Sequence, residues 1–132
     1  MRKNLLCVVL LLASFNTWAG GGFMDIRTSC RNLKLEKASL RAECTAKNGG
    51  VYQSSIRLRG VHNKNGTLIY DGGTSAYSKF HVSCKDASVD ARGILSAQCL
   101  TESSTYLATT LDLAKIVANY NGALVFPLKN LD

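Results

Sequence analysis

The sequence is poor in proline and histidine, with one proline and two histidines among its 132 residues. The scarcity of proline excludes a proline-rich, low-complexity chain. Charged residues make up 19% and hydrophobic residues 46%, a balance that excludes a disordered, charge-dominated chain. The length fits one ordinary domain, since single cores typically take roughly 100 to 200 residues. A multidomain enzyme is therefore excluded.

Groups for catalysis and metal binding are also scarce. The histidines are His62 and His81, and no clustered carboxylates or Ser/His/Asp arrangement can be recognised in order or spacing. No cysteine pair has the C-x2–4-C spacing that a zinc site prefers. We therefore expect no catalytic residues, no enzymatic activity, no metal and no cofactor.

Long apolar runs are missing except near the N-terminus. Residues 5–13 form an apolar run that follows Arg2 and Lys3 and precedes the small-residue pattern Thr17-Trp18-Ala19. The run is shorter than the roughly 20 residues that span a bilayer, so it predicts a signal peptide, residues 1–19, followed by a single domain, residues 20–132. Its removal lowers the net charge from +7 to +5. We expect a secreted protein, extracellular or, from a Gram-negative bacterium, periplasmic.

Four cysteines remain after the predicted cleavage: Cys30, Cys44, Cys84 and Cys99. An even number in a small exported chain is typical of disulfides. Four cysteines allow three pairings, and the spacings of fourteen and fifteen residues favour Cys30 with Cys44 and Cys84 with Cys99. Each bond should contribute about 3 kcal/mol by restricting the unfolded chain.

The two cysteine pairs belong to an internal repeat. The segment Ser29-Cys30-Arg31-Asn32 recurs as Ser83-Cys84-Lys85-Asp86, and residues 63–70 recur as residues 119–126, at an offset of 54 to 56 residues. The copies span about residues 23–76 and 77–132. Because each copy is too short to bury a sizeable core alone, we expect them to pack together as one pseudo-symmetric domain.

The repeats carry the patterns of β-structure. Leu40, Ala42 and Cys44 alternate with polar residues, which is typical of a strand buried on one face. The dipeptides Asn65-Gly66 and Asn121-Gly122 predict hairpin turns, because Asn and Gly accept the positive φ of a type I′ turn.

Two connecting segments stand out between the predicted strands. Residues 113–118 have the composition of a short helical connector, with room for about one turn. Residues 71–79 form a Gly/Ser-rich linker without proline, which can turn back without strain. We expect the repeats to pair within one chain, giving a monomer.

Together these features resemble the cyanovirin-N homology lectins. The resemblance covers about residues 23–130 and includes the Cys-x13-Cys and Cys-x14-Cys spacings, Asn48-Gly49-Gly50, Ser54-Ser55-Ile56-x-Leu58 and the segment 116–124. It implies an all-β, pseudo-symmetric tandem repeat with two three-stranded sheets, β-hairpins, short 3₁₀ turns and two disulfides. The repeats of this family exchange strands, which implies one half from about residues 23–61 plus 117–132 and another from 62–116.

Family members bind oligomannose-type glycans, so the resemblance implies such glycans or glycoproteins as partners. The implied first site consists of Asp25, Thr28, Ser29, Thr45, Lys47, Asn48, Asn119 and Asn121. The implied second site consists of His62, Asn63, Asn65, Ser78, Lys79, Ser83, Thr101, Glu102 and Ser104. Val82, Leu100 and Glu102 replace an acid, a lysine and an arginine of the better-known binders, so the first site is favoured.

Other interpretations stay open from the residues alone. The asparagines at the turns are needed there whether or not sugar binds. The fold could also serve as a sugar-silent protein-interaction module. A nucleic-acid or anionic-surface binder is disfavoured, because the basic residues of the first repeat are interspersed with acids and lack an aromatic stacking series. We expect no nucleic-acid partner and no membrane insertion.

Overall fold

A computed structural model describes residues 22–73 and 76–127, and the predicted signal peptide lies outside these ranges. In chain order the strands there are β1 (Phe23–Asp25), β2 (Cys30–Glu36), β3 (Ser39–Thr45), β4 (Val51–Arg57), β5 (Val61–Lys64), β6 (Thr67–Tyr70), β7 (Cys84–Val89), β8 (Ile94–Leu100), β9 (Tyr106–Asp112), β10 (Ala118–Tyr120) and β11 (Ala123–Val125). The helical elements are α1 (Ile26–Ser29), α2 (Phe80–Ser83) and a 3₁₀ turn (Leu113–Lys115). The all-β prediction is confirmed, and the 3₁₀ turn lies in the predicted connector.

Each repeat forms an antiparallel three-stranded sheet, β2–β3–β4 in the first and β7–β8–β9 in the second. Cys30 pairs with Cys44 in register and Cys84 with Cys99, and both pairs are disulfide-bonded, which confirms the predicted connectivity. Each sheet also has an irregularity that the sequence pattern did not predict. In β2 and β7 the register shifts beside Asn32 and Asp86, whose φ angles of 54° and 55° are those of a bulge.

The repeats exchange their hairpins, as the resemblance implied. The β5–β6 hairpin of the first repeat packs against β9 of the second, where the Leu68 N–H donates to Thr109 Oγ1 across 3.0 Å. The β10–β11 hairpin of the second repeat packs against β4 of the first, where the Leu124 N–H donates to Ser54 Oγ across 2.9 Å. Each structural half therefore contains strands from both repeats.

The two halves differ where the chain enters each short helix. Before α1, strand β1 pairs with β10 and so completes a further three-stranded sheet, β1–β10–β11. Before α2, Tyr77 makes only an isolated bridge with Arg59, and the β5–β6 hairpin stays two-stranded. The pseudo-symmetry is thus incomplete beside the two predicted sites.

One hydrophobic cluster draws on both repeats. Corresponding positions are buried in each copy: Leu40 and Leu95 in the central strands, and Ile26 and Phe80 in the short helices. Burying each such side chain stabilises the fold by about 1.5–3 kcal/mol relative to leaving it exposed. This shared core fixes the loops and hairpin turns that carry the predicted site residues.

Candidate functional site

Three segments of the predicted first site lie together. Strand β1, which leads into α1, pairs with β10 so that Asp25 lies opposite Ala118. The loop after β3 is joined to the β10–β11 turn, because the Lys47 N–H donates to Asn121 Oδ1 across 2.9 Å. The structure therefore brings α1, residues 45–50 and residues 119–122 together from distant parts of the sequence.

Asn119 holds this arrangement from inside. Its side chain is fully buried, its Nδ2 donates to the Thr45 carbonyl oxygen across 2.9 Å, and its Oδ1 accepts from the Gly122 N–H across 2.8 Å. Because both amide groups are used within the protein and shielded from solvent, Asn119 positions the site rather than lining it. The predicted residue is at the site in a supporting role.

The residues from α1 divide into a capping group and an exposed one. Asp25 caps the helix by accepting from the Arg27 N–H across 2.8 Å, and the side-chain hydrogen bonds from Arg27 hold the pKa of this carboxyl below its ordinary value. Ser29 is buried and donates to the Asp25 carbonyl oxygen across 2.7 Å. Thr28 is exposed and donates over a longer distance, 3.3 Å, to the same oxygen. Thr28 is thus the most available hydroxyl of this segment.

Lys47 and Asn48 are exposed in the loop after β3. The Asn48 Oδ1 accepts from the Gly50 N–H across 2.8 Å, and its Nδ2 lies 3.3 Å from the Tyr52 hydroxyl. The Lys47 Nζ lies 5.7 Å from the centroid of the Tyr120 ring. The sequence interpretation did not single out the aromatic residues here, although Tyr120 lies between two predicted asparagines.

The predicted second site repeats this construction. Asn63 donates from Nδ2 to the Leu100 carbonyl oxygen across 3.0 Å and to Ser83 Oγ across 2.9 Å, and its Oδ1 accepts from the Gly66 N–H across 2.7 Å. The Glu102 N–H donates to Asn65 Oδ1 across 2.8 Å, as the Lys47 N–H does to Asn121. The two predicted sites therefore have equivalent hydrogen bonds between a hairpin turn and the facing loop.

The remaining second-site residues differ in their availability. Ser78 is fully buried and accepts from the Val61 N–H across 2.8 Å, so it supports the backbone. His62 Nε2 lies 2.8 Å from Asp71 Oδ2. Lys79, Glu102 and Ser104 are exposed, and Thr101 is partly exposed with its hydroxyl bonded to those of Ser103 and Thr105.

An apolar group is prominent at this second site. Val82, in α2, is 78% exposed, the largest fraction among the exposed large hydrophobic residues of the described chain. It offers a sugar hydroxyl neither a donor nor an acceptor. The structure thus places Val82 at the surface of the predicted second site.

Other features of the described ranges lie away from both sites. A cleft of about 600 Å³ on the outer face of β2–β3–β4 is lined by Lys34, Arg41, Glu43 and Gln53 among others, none of them a predicted site residue. Within residues 22–73 and 76–127, no three His, Cys, Asp or Glu side chains are grouped to hold a metal ion. No helix of these ranges has the length and apolar character needed to cross a bilayer.

Comparison with known proteins agrees with this construction. A family model described as CVNH domain matches residues 27–125. The structure of a CVNH protein from T. borchii is 27% identical, with a TM-score of 0.63 over 79% of this chain and 100% of that one. Microvirin, in a structure described as a mannobiose complex, is 20% identical, with a TM-score of 0.65 over 79% and 99%. A MoCVNH3 variant described in complex with (N-GlcNAc)4 is 21% identical, with a TM-score of 0.65 over 82% and 98%.

Proposed function

We propose that this chain, which belongs to the CVNH domain family, is a secreted lectin that recognises mannose-rich oligosaccharides without catalysis. One observation carries the proposal: at each end an asparagine amide, buried for Asn119 and partly buried for Asn63, fixes a hairpin turn to the end of a strand of the other repeat. The described mannobiose complex of microvirin, a protein of the same fold, supports mannose as the ligand class.

The rigidity of these loops suits a sugar ligand. A sugar offers many hydroxyls, and each polar group that is buried without a partner costs about 1–3 kcal/mol. Donors and acceptors held in place before binding lose less entropy when the ligand arrives. At the first site the exposed Thr28 and Lys47 side chains project from segments whose backbone is held in place by such hydrogen bonds.

We place the stronger affinity at the first site. Lys47 and Glu102 occupy corresponding positions in the two repeats, and each is exposed with its N–H bonded to an asparagine of the facing turn. Lys47 supplies ammonium donors to a hydroxyl ligand, whereas Glu102 supplies only acceptors. The exposed Val82 side chain also leaves the second site with one hydrogen-bonding group fewer.

Calorimetric titration with α-linked mannobiose tests this function. Binding should be weak per site and unchanged by EDTA, since the proposed contacts need no cation. Lys47→Ala should weaken binding, while Glu102→Ala, its matched control, should change it little. If no mannose-containing glycan binds to the folded protein on a glycan array, the lectin proposal fails and a protein-interaction role takes its place.

A further inference from the structure

Aromatic side chains surround the polar residues of the first site. Phe23, Tyr52 and Tyr120 are each about half exposed, between 46% and 49%. The Phe23 and Tyr120 rings lie 5.5 Å apart at an angle of 51°, since β1 and β10 place them in register. We name these two residues the aromatic corner. A clustered, exposed aromatic pair beside a polar site is typical of a contact surface.

The Tyr120 ring is held in place while part of it stays accessible. Gly22 packs so closely that an added Cβ would lie 2.7 Å from the ring atom Cε1. Phe23 contacts the same ring, and the Lys47 ammonium lies 5.7 Å from its centroid. A ring supported on its edge and flanked by a flexible cation can receive an apolar ligand face with little loss of side-chain entropy.

The aromatic corner exists at the first site alone within the described chain. By the repeat offset, Lys64 corresponds to Tyr120 and Leu107 to Tyr52. Tyr77 corresponds to Phe23, but its ring contacts Arg57 and Arg59, whose guanidinium carbons lie 4.5 and 4.9 Å from the ring centroid. The β1–β10 pairing that brings the two rings together is also confined to the first half, so this end alone presents a clustered aromatic pair at its surface.

The shape of the ring restricts the ligand class. An aromatic face attracts C–H groups, so it stacks on a pyranose face whose substituents are all equatorial. An α-linked mannose has one axial oxygen on each face, O1 on one and O2 on the other. A β-linked N-acetylglucosamine has none, and its C–H groups cover both faces.

We propose that the aromatic corner is a subsite for β-1,4-linked N-acetylglucosamine, with the ring of Tyr120 as the stacking surface. The Lys47 ammonium lies over that ring, 5.7 Å from its centroid, and its flexible side chain can donate to a hydroxyl or to the acetamido oxygen of the stacked sugar. This subsite rests on the proposed function, because it extends the first polar site to a neighbouring sugar of different shape. The same disaccharide occurs in free chitin oligomers and in the core of N-linked glycans.

Titration of the protein with chitotriose tests the subsite through a matched pair of variants. Tyr120 and Tyr106 are both 46% exposed and both carry a lysine ammonium over the ring, but Tyr106 lies in β9, in the structural half that carries the second site. Tyr120→Ser should weaken chitotriose binding by about 10-fold, and Tyr106→Ser should leave it unchanged. Tyr120→Phe keeps the ring and should retain the affinity. Amide spectra of each variant confirm that it is folded.

Mannobiose distinguishes this inference from the proposed function. Tyr120→Ser should leave mannobiose binding within about 2-fold, because an α-linked mannose does not stack well on the ring. If mannobiose binds but chitotriose does not, or if Tyr120→Ser has no effect on chitotriose, the subsite is wrong and the lectin proposal stands. If chitotriose binds through Tyr120 and mannobiose does not bind, the subsite stands and the mannose assignment fails.

The source of the disaccharide is identified with one glycan in two forms. A nine-mannose glycan is compared with and without its reducing-end N-acetylglucosamine disaccharide. A loss of affinity on trimming, present in the wild type and absent in Tyr120→Ser, assigns the subsite to the core of N-linked glycans. Equal affinity for both forms, with Tyr120-dependent chitotriose binding, assigns it to free chitin oligomers.

Discussion

Asn119 and Asn63 make the same two hydrogen bonds at corresponding positions of the two repeats. Each donates its side-chain amide to a carbonyl of the other repeat, Thr45 for Asn119 and Leu100 for Asn63. Each also accepts from the glycine N–H of its own hairpin turn. The exchanged hairpins are therefore fastened to their host sheets by one residue type through equivalent hydrogen bonds.

Replacing Asn119 by alanine should lower the free energy of unfolding by about 1–3 kcal/mol, because the partly buried Thr45 carbonyl and the buried Gly122 N–H lose their partner. Asn48→Ala is the control, since Asn48 is exposed and water can replace its side-chain hydrogen bonds. Urea denaturation measures both. An Asn119→Ala loss no larger than that of Asn48→Ala would show that the buried amide does not fasten the hairpin.

The disulfides should contribute equally to stability. Their cysteines are 14 and 15 residues apart, so each closes a loop of nearly the same length. Removing either pair, as Cys30→Ala with Cys44→Ala or Cys84→Ala with Cys99→Ala, should lower the free energy of unfolding by about 3 kcal/mol. Mass mapping of the unreduced protein should show no free thiol among these four cysteines. A crossed pairing would contradict the arrangement of the sheets.

The linker between the repeats is fastened to its own chain on both sides. At its start the Asp71 N–H donates to the Gly60 carbonyl oxygen across 2.9 Å. At its end the Ser78 N–H donates to the Leu58 carbonyl oxygen across 2.9 Å. Together with the cation–π contacts of Tyr77 with Arg57 and Arg59, these bonds favour pairing of the repeats within one molecule.

We therefore expect a monomer as the main species at micromolar concentration, measured by light scattering. Tyr77→Ser should lower the free energy of unfolding by about 1 kcal/mol, because cation–π contacts at exposed positions contribute on that order. A stable dimer as the main wild-type species would contradict this expectation.

Acid should destabilise the fold through its paired carboxylates. Hydrogen bonds from Arg27 lower the pKa of Asp25, those from Arg31 lower the pKa of Glu43, and the N–H of Ile94 lowers the pKa of Asp90. A lowered folded-state pKa stabilises the folded protein above the unfolded pKa of about 4, and this stabilisation is lost as pH falls through the folded value. The urea concentration at the midpoint of unfolding should therefore decrease as the pH is lowered from about 5 to about 2. A midpoint that rises over this range would reverse the sign assigned to these groups.

Much of the fold follows from local sequence patterns. The alternation in β3, the Asn-Gly turns and the cysteine spacings all reflect interactions between residues near in sequence, and the structure confirms each of them. No local pattern predicts the exchange of hairpins, because the exchange depends on contacts such as Leu124 with Ser54, 70 residues apart. Only the family resemblance implies it.

The family resemblance indicates which segments meet at the predicted sites, but not which of their side chains are exposed. The predicted first-site segments do meet, but burial decides which side chains face outward, and composition does not reveal the burial of Asn119 or Ser29. The aromatic corner depends on the pairing of Phe23 with Tyr120, across almost the whole domain. The bulges at Asn32 and Asp86 likewise arise from strand pairing, which no single segment specifies.

Titration of the isotope-labelled protein with α-linked mannobiose in the presence of EDTA, followed by amide chemical shifts, tests the central claim most directly. The account predicts saturable shifts of the backbone amides of Lys47, Asn48 and Asn121, because the loop and the turn that form the first site carry these N–H groups. Smaller shifts, or none, are expected at Glu102. Spectra that stay unchanged at millimolar sugar, or shifts confined to the outer face of β2–β3–β4, would contradict it.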